Sequence, residues 1–185
     1  MSARDRLIDE LRAHALVIGE VVLTSGATAQ YYVDAKRAIL RPAGFGALAE
    51  LVAERARAWD ATAVGGLTMG ADAPACAALA GGADVKAFFV RKEVKQHGLQ
   101  RRIEGPLLSP DGERCLIVED VVTTGGSTVQ AIEAVRAEGF DVVGVVSVLD
   151  RLAGGAQAIA LASEDAPYEA LATIDDVYPD RPDRE

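Results

Sequence analysis

What the chain has little of narrows its class before any motif is read. It carries only two cysteines, Cys76 and Cys115, in apolar contexts and without metal-ligand spacing, which argues against a disulfide framework or a structural zinc site. Both are expected to be buried free thiols. Positive charge is short: 19 Lys and Arg against 28 Asp and Glu leave a net charge of −9, so the surface as a whole does not attract nucleic acid and any anion site has to be local. Long hydrophobic runs are missing too. The longest, 142–149, falls far below the ~20 residues needed to cross a bilayer, and the first ten residues are charged rather than apolar. A soluble, cytoplasmic protein is expected. No Gln, Ser or Pro bias accompanies the 50% hydrophobic content, which excludes a disordered or fibrous chain, and 185 residues suit a single globular domain over 1–185.

Periodicity then sets the organisation. Leu7, Ile8, Leu11, Ala15 and Ile18 fall at helical spacing and predict an amphipathic helix over 2–18. Short β-like runs at 21–23 and 31–33 flank a Ser25-Gly26 turn and predict a small accessory hairpin. Pro42 opens a helix that reaches about Trp59. Apolar runs at 61–64, 85–90, 115–118 and 142–149 alternate with helical patterns near 74–80 and 127–138. Continuous runs separated by helices imply an α/β fold, a mostly parallel twisted sheet flanked by helices, with ligands bound beyond the carboxyl ends of the strands. The polar segment 91–112 breaks the alternation, as functional or disordered segments do. Residues 154–185, Ala-rich and then acidic, define no element.

The segment 115–138 is the most informative. A buried strand ends in two carboxylates, Glu119 and Asp120, and continues Val121-Val122-Thr123-Thr124-Gly125-Gly126-Ser127-Thr128. Adjacent glycines let backbone approach a ligand, four hydroxyls supply hydrogen bonds, and the next helix starts with free N–H groups that favour an anion. This is the pattern of a phosphate cradle. Ser127 and Gln130 match a capping box. No Lys follows the last glycine, so a nucleoside triphosphate loop is not the natural reading. Two acids beside a phosphate can accept sugar hydroxyls, stabilise developing positive charge, or hold Mg²⁺ through water. A ribose 5-phosphate satisfies both halves. A fingerprint-like Gly44-Phe45-Gly46 lacks the acid a dinucleotide site needs, and His14 has no metal-spaced partner.

The run Val118-Glu119-Asp120-Val121-Val122-Thr123-Thr124-Gly125-Gly126-Ser127 resembles the phosphoribosyl pyrophosphate signature of the type I phosphoribosyltransferases. Residues 91–102 form a basic island of net charge +4 in an otherwise acidic chain, suited to closing over a polyanionic leaving group. Within it, Arg91-Lys92-Glu93-Val94-Lys95-Gln96-His97-Gly98 is similar to the catalytic loop of the orotate phosphoribosyltransferases. Tyr31-Tyr32-Val33-Asp34 resembles that family's amino-terminal element, and Val148-Leu149-Asp150-Arg151 its carboxylate-holding segment.

The resemblance implies a phosphoribosyltransferase fold with a small hood from about 1–40, and transfer of the phosphoribosyl group to orotate. It implies a phosphoribosyl pyrophosphate site of Arg91, Lys92, Lys95, His97, Glu119, Asp120 and 121–128, with Val121, Val122, Thr123, Thr124, Gly125, Gly126, Ser127 and Thr128 around the phosphate. Lys92, Lys95, His97, Glu119 and Asp120 are its expected catalytic residues. Orotate is expected against Tyr31 or Tyr32, Thr123 and Arg151, whose fork suits a planar carboxylate; the bland alternative for Arg151 is a surface pair with Asp150. Mg²⁺ is the implied cofactor, held by substrate and water rather than by direct protein ligands, and a homodimer with shared sites is the implied assembly. Thr24 stands where many members have Lys, the loop Gly65-Gly66-Leu67-Thr68-Met69-Gly70-Ala71-Asp72 has no Lys where others often do, and Gln100-Arg101-Arg102 replaces a glycine-rich stretch. A purine or uracil phosphoribosyltransferase, or a non-catalytic sensor of phosphoribosyl pyrophosphate, are the alternatives.

Overall fold

The computed structural model describes residues 1–22, 28–93, 102–106, 109 and 112–184. Helix α1 (Ala3–His14) starts at a capping box in which the Ser2 hydroxyl accepts the Asp5 N–H and the Asp5 carboxylate accepts the Ser2 N–H. It ends before the expected residue 18. Val17 and Ile18 belong instead to β1 (Leu16–Val22), which pairs antiparallel with β2 (Thr28–Val33), because β-branched side chains suit a pleated ribbon better than another helical turn. Gly19, at φ +133°, lies where the register shifts between Ile18 and Val21. The predicted pair of strands is therefore present and longer than expected, while Leu23 and the Ser25-Gly26 turn lie outside the described residues. Among the described residues of 1–40, only this ribbon forms a separate sheet; Leu7 and Leu11 of α1 are fully buried in the main core.

Helix α2 (Lys36–Ile39) leads into α3 (Pro42–Ala58), which begins and ends where Pro42 and Trp59 predict. Gly44 allows the two to touch, since a Cβ there would lie 2.3 Å from the Ala38 carbonyl oxygen. There follow β3 (Ala63–Leu67), α4 (Asp72–Ala80), β4 (Lys86–Val90), β5 (Ile103–Glu104), β6 (Arg114–Val122), α5 (Gly126–Ala137), β7 (Asp141–Asp150), α6 (Gly155–Ser163), β8 (Tyr168–Thr173) and α7 (Ile174–Val177). Six strands form one sheet in the order β5-β4-β3-β6-β7-β8, parallel except for β5. The α/β architecture of a mostly parallel sheet flanked by helices is thus as expected.

Strand β6 shows why its sequence reads as one apolar run. Leu116 and Val118 enter a cluster with α1, α3 and α4, while Cys115 and Ile117 enter a second with α5 and α6, as the two-residue alternation of a strand buried on both faces requires. Leu116 and Ile117 are fully buried, each worth roughly 1.5–3 kcal/mol of apolar transfer. Burial, followed by the charge of Glu113, pushes the Cys115 thiol up to about 12. Cys76, by contrast, is exposed on α4, which corrects the expectation of two buried thiols. Among the described residues, no helix is long and apolar enough to cross a membrane.

Candidate active site

Strands β3, β6 and β7 run in parallel, so their carboxyl ends open on one edge of the sheet, and there β6 carries Glu119 and Asp120, 5% and 6% exposed. Their oxygens are used unequally. Asp120 Oδ1 accepts the Val121 N–H (2.8 Å) and Oδ2 accepts Lys36 Nζ (2.7 Å). Glu119 Oε1 accepts the Asp120 N–H (3.1 Å), while Oε2 is buried without a hydrogen-bond partner. Burial first, and then the charge of Asp120, raises Glu119 above the ordinary carboxylate range. Lys36 Nζ also lies 3.1 Å from Asp34 Oδ1. Partial burial works against its charge, but hydrogen bonds and attraction to Asp120 and Asp34 outweigh that and hold its pKa above the usual lysine value. Gly70 lets the 67–72 loop close on the acids: a Cβ there would fall 2.3 Å from Glu119 Oε1 and 2.6 Å from Asp120 Oδ1.

After β6 the chain wraps a cradle of about 130 Å³, lined by Glu119 and by 121–128. Gly125 occupies the α5 N-cap at φ +80°, in the left-handed region, with no side-chain cap. The expected Ser127–Gln130 capping box does not form, because the helix already opens at Gly126 and Ser127 lies inside its first turn. Its hydroxyl therefore remains available, as do those of Thr123 and Thr124, and Thr128 Oγ1 is buried without a partner. First-turn N–H groups point the same way as these hydroxyls' chemistry, toward an anion. Gly155 at the start of α6 braces the loop from behind; a Cβ on Gly125 would lie 2.8 Å from the Gly155 carbonyl oxygen.

A larger cleft of about 1170 Å³ joins the acid pair to the basic island. Tyr32, Lys36, the Thr68-Met69-Gly70 turn, Arg91, Lys92, Glu119, Asp120, Thr123 and Ser127 all line it, so segments far apart in sequence meet at one edge. Arg91 lies 3.3 Å from Glu104 and its N–H pairs with the Arg102 carbonyl. Lys95, His97, Thr24 and Arg101 lie outside the described residues.

The base side differs from expectation in one respect. Alternation along β2 sends Tyr31 and Val33 inward and Tyr32 outward. Tyr31, 3% exposed, packs edge-on against Tyr178 at 5.4 Å, and its hydroxyl donates to Asp183 (3.0 Å). The structure does not bring Tyr31 into the cleft; Tyr32 is the tyrosine there. Tyr31 instead supports Arg151, whose guanidinium sits 5.1 Å above its ring. Arg151 follows β7, donates its N–H to Val122 (2.9 Å), and has a buried Nε without a hydrogen-bond partner. The alternative Asp150–Arg151 pair is absent, since Asp150 is taken by the Tyr168 hydroxyl (2.9 Å) and the Leu152 N–H (2.7 Å). Arg151 stands one strand over from the cradle rather than on the main cleft wall.

Sequence reasoning missed Lys36. Its signal was faint, a lysine two residues after the acid that ends the hood motif, in a chain with four lysines. Among the described residues no three His, Cys, Asp or Glu side chains converge as a metal cage. His14 sits 3.8 Å from Glu10 along α1.

Comparison with known proteins bears on this arrangement directly. Residues 36–164 match the phosphoribosyl transferase domain family. The chain is 46% identical over 178 residues to the orotate phosphoribosyltransferase of Corynebacterium glutamicum (strain R), covering 96% of this chain and 95% of that one. Among solved structures, Mycobacterium tuberculosis H37Rv orotate phosphoribosyltransferase in complex with Fe(III) dicitrate superposes with a TM-score of 0.84 at 41% identity, covering 95% and 99% of the two chains. The same enzyme in complex with phosphoribosyl pyrophosphate gives 0.76 at 34% identity, covering 95% and 91%.

Proposed function

The chain belongs to the phosphoribosyltransferase family, and within it to the orotate phosphoribosyltransferases; on that premise we propose how its own residues carry the reaction. Orotate and phosphoribosyl pyrophosphate become orotidine 5′-monophosphate and pyrophosphate, the phosphoribosylation step of pyrimidine nucleotide synthesis. The observation that carries this reading is that an acid pair and a hydroxyl-and-amide cradle share one rim, with Glu119 lining both hollows.

The bond from the anomeric carbon to the diphosphate oxygen breaks as N1 of orotate bonds to that carbon and gives up its proton to the departing pyrophosphate, so positive charge grows on the ribose and negative charge on the leaving oxygens. Positioning and electrostatics then supply the catalysis. The 121–128 cradle holds the 5′-phosphate, and Glu119 and Asp120 accept the ribose hydroxyls beside the growing cation. Glu119 Oε2, buried and unpartnered, is the oxygen left for that purpose. Arg91 and Lys92, on the cleft wall, face the diphosphate, and the likeness to the family's catalytic loop assigns Lys95 and His97, outside the described residues, to the same group. Tyr32 stacks on the base, and Arg151, backed by the Tyr31 ring, takes the orotate carboxylate.

Mg²⁺ fits this donor set as a substrate-borne ion, because it keeps several waters and binds through few carboxylates plus phosphates. Glu119 and Asp120 would reach it through water, and when bound it supplies charge neutralisation of the diphosphate. The molecule acts as a cytoplasmic homodimer with shared sites, each chain a single domain over 1–185. Mixing protein, orotate, phosphoribosyl pyrophosphate and Mg²⁺ tests the reading: orotate absorbance should fall with stoichiometric pyrophosphate release. Turnover of uracil at the same rate would remove Arg151 from the carboxylate, and no turnover of orotate would end the proposal.

A further inference from the structure

One cation sits inside the acid end of the cleft. Lys36 Nζ bridges Asp34 on the hood side and Asp120 on the sheet side, at 3.1 and 2.7 Å. Its side chain remains 37% exposed, so the paired ammonium can still be reached from the cleft, on the long flexible stem that lets a lysine exchange partners. The other described cations on the cleft wall, Arg91 and Lys92, come from the segment after β4. The 65–72 loop contains no lysine and position 24 is threonine.

Two demands conflict at Asp120. In the free protein its buried carboxylate needs a cation, because an unpaired charge there is costly. During transfer the same carboxylate has to face a growing ribose cation, and an ammonium 2.7 Å away opposes that. The conflict is relieved if the ammonium leaves Asp120 when a more highly charged anion arrives.

Resting on the reading above, we propose that Lys36 is a substrate-contacting residue that holds Asp120 in the free enzyme and moves to the diphosphate of phosphoribosyl pyrophosphate on binding. One charge-assisted hydrogen bond is exchanged for another and no proton is transferred. The move frees Asp120 for the ribose and supplies, from the floor of the cleft, the positive charge that the 65–72 loop does not.

The test uses the full chain, with inorganic pyrophosphate plus Mg²⁺ and ribose 5-phosphate as separate calorimetric probes. Lys36→Met should weaken pyrophosphate binding about ten- to hundredfold, the range for a lost charge-assisted bond, and change ribose 5-phosphate binding less than about threefold. Lys36→Arg should restore most of the pyrophosphate affinity. Equal weakening of both probes would assign Lys36 a structural role, and unchanged pyrophosphate binding with a lowered kcat would make it a fixed partner of Asp120; either overturns the proposal. If Lys36→Met does not fold because Asp120 is left unpaired, the double variant Lys36→Met/Asp120→Asn decides against Asp120→Asn alone. Weaker pyrophosphate binding in the double variant supports the contact, and equal binding overturns it. Orotate turnover by the wild type is read alongside: if it is present, only the Lys36 assignment is at stake, and if it is absent, the functional reading falls first.

Discussion

Glu113, just before β6, and Glu119, in its carboxyl-terminal half, are equally buried, each 5% exposed, yet their surroundings are opposite. At the amino end, Glu113 accepts from Lys86 Nζ, from the Thr62 hydroxyl (2.8 Å) and from the Ser109 N–H (3.3 Å). Burial acts to raise its pKa, but these three donors outweigh it and hold the carboxyl below its ordinary value. At the carboxyl end, Glu119 has one donor for Oε1 and none for Oε2, and burial raises it. Burial alone therefore says nothing about role. The satisfied carboxylate ties β3, β4 and β6 together, whereas the incomplete one keeps an acceptor that no protein donor fills, the feature on which its proposed role rests.

Activity should separate the two ends most sharply. Glu119→Gln and Asp120→Asn should each lower kcat about 10²-fold or more, the scale of losing one electrostatic contact to a charged transition state. Phosphoribosyl pyrophosphate should still bind the Asp120 variant, since the charge matters most as the ribose becomes cationic. Glu113→Gln should stay within about twofold of wild type, because that side chain lies at the other end of the sheet. Steady-state kinetics at saturating substrate decides, and an inactive Glu113→Gln that is fully folded would break the comparison.

Stability should invert the order. Glu113→Gln should cost about 1–3 kcal/mol in urea unfolding, less than the loss for a fully buried pair because Lys86 is 43% exposed. Glu119→Gln should cost nothing or stabilise, since it removes a poorly solvated carboxyl. Smaller again is the effect of moving the acids without removing them. Gly70→Ala places a methyl against both Glu119 and Asp120 and should lower kcat roughly tenfold, with little change in the urea midpoint; an unchanged kcat would mean that the 67–72 loop gives way instead of the acids.

The sequence disclosed the carboxyl end of β6 because its chemistry is local: acids, hydroxyls and glycines stand consecutively in 119–128, and Gly125 takes a left-handed backbone at φ +80°. The same locality made the parallel strands visible as apolar runs. Contacts made across the chain left no such pattern. Lys36 meets Asp120 only because α2 folds over the sheet, and Glu113 meets Lys86 and Thr62 only because three strands align. Strand β8 was hidden by its composition, since Tyr168-Glu169-Ala170-Leu171-Ala172-Thr173 is rich in alanine and joins an edge. Ala15 and Ile18 fit helical spacing by period alone, while the β-branched residues around Gly19 decided otherwise. The choice between Tyr31 and Tyr32 needed the face that β2 turns to the core.

The last difference is a pH dependence of opposite sign at the two glutamates. A carboxyl held below its ordinary pKa on folding binds fewer protons folded than unfolded, so Glu113 contributes stability above the unfolded value near 4.5 that is lost as pH falls through the folded one. A carboxyl raised on folding does the reverse: Glu119 binds more protons folded than unfolded, so its destabilising contribution starts near pH 4.5 and grows as pH rises toward its folded pKa. Each group changes stability by at most about 1.4 kcal/mol per pH unit. Subtracting the wild-type curve removes the other titrating groups to first order. Urea unfolding from pH 4 to 8 should then show the loss caused by Glu113→Gln shrinking toward the acid end. The gain from Glu119→Gln should widen toward the neutral end. Difference curves that run parallel would mean that both carboxyls sit in equivalent surroundings, and the asymmetry along β6 would no longer separate a structural end from a functional one.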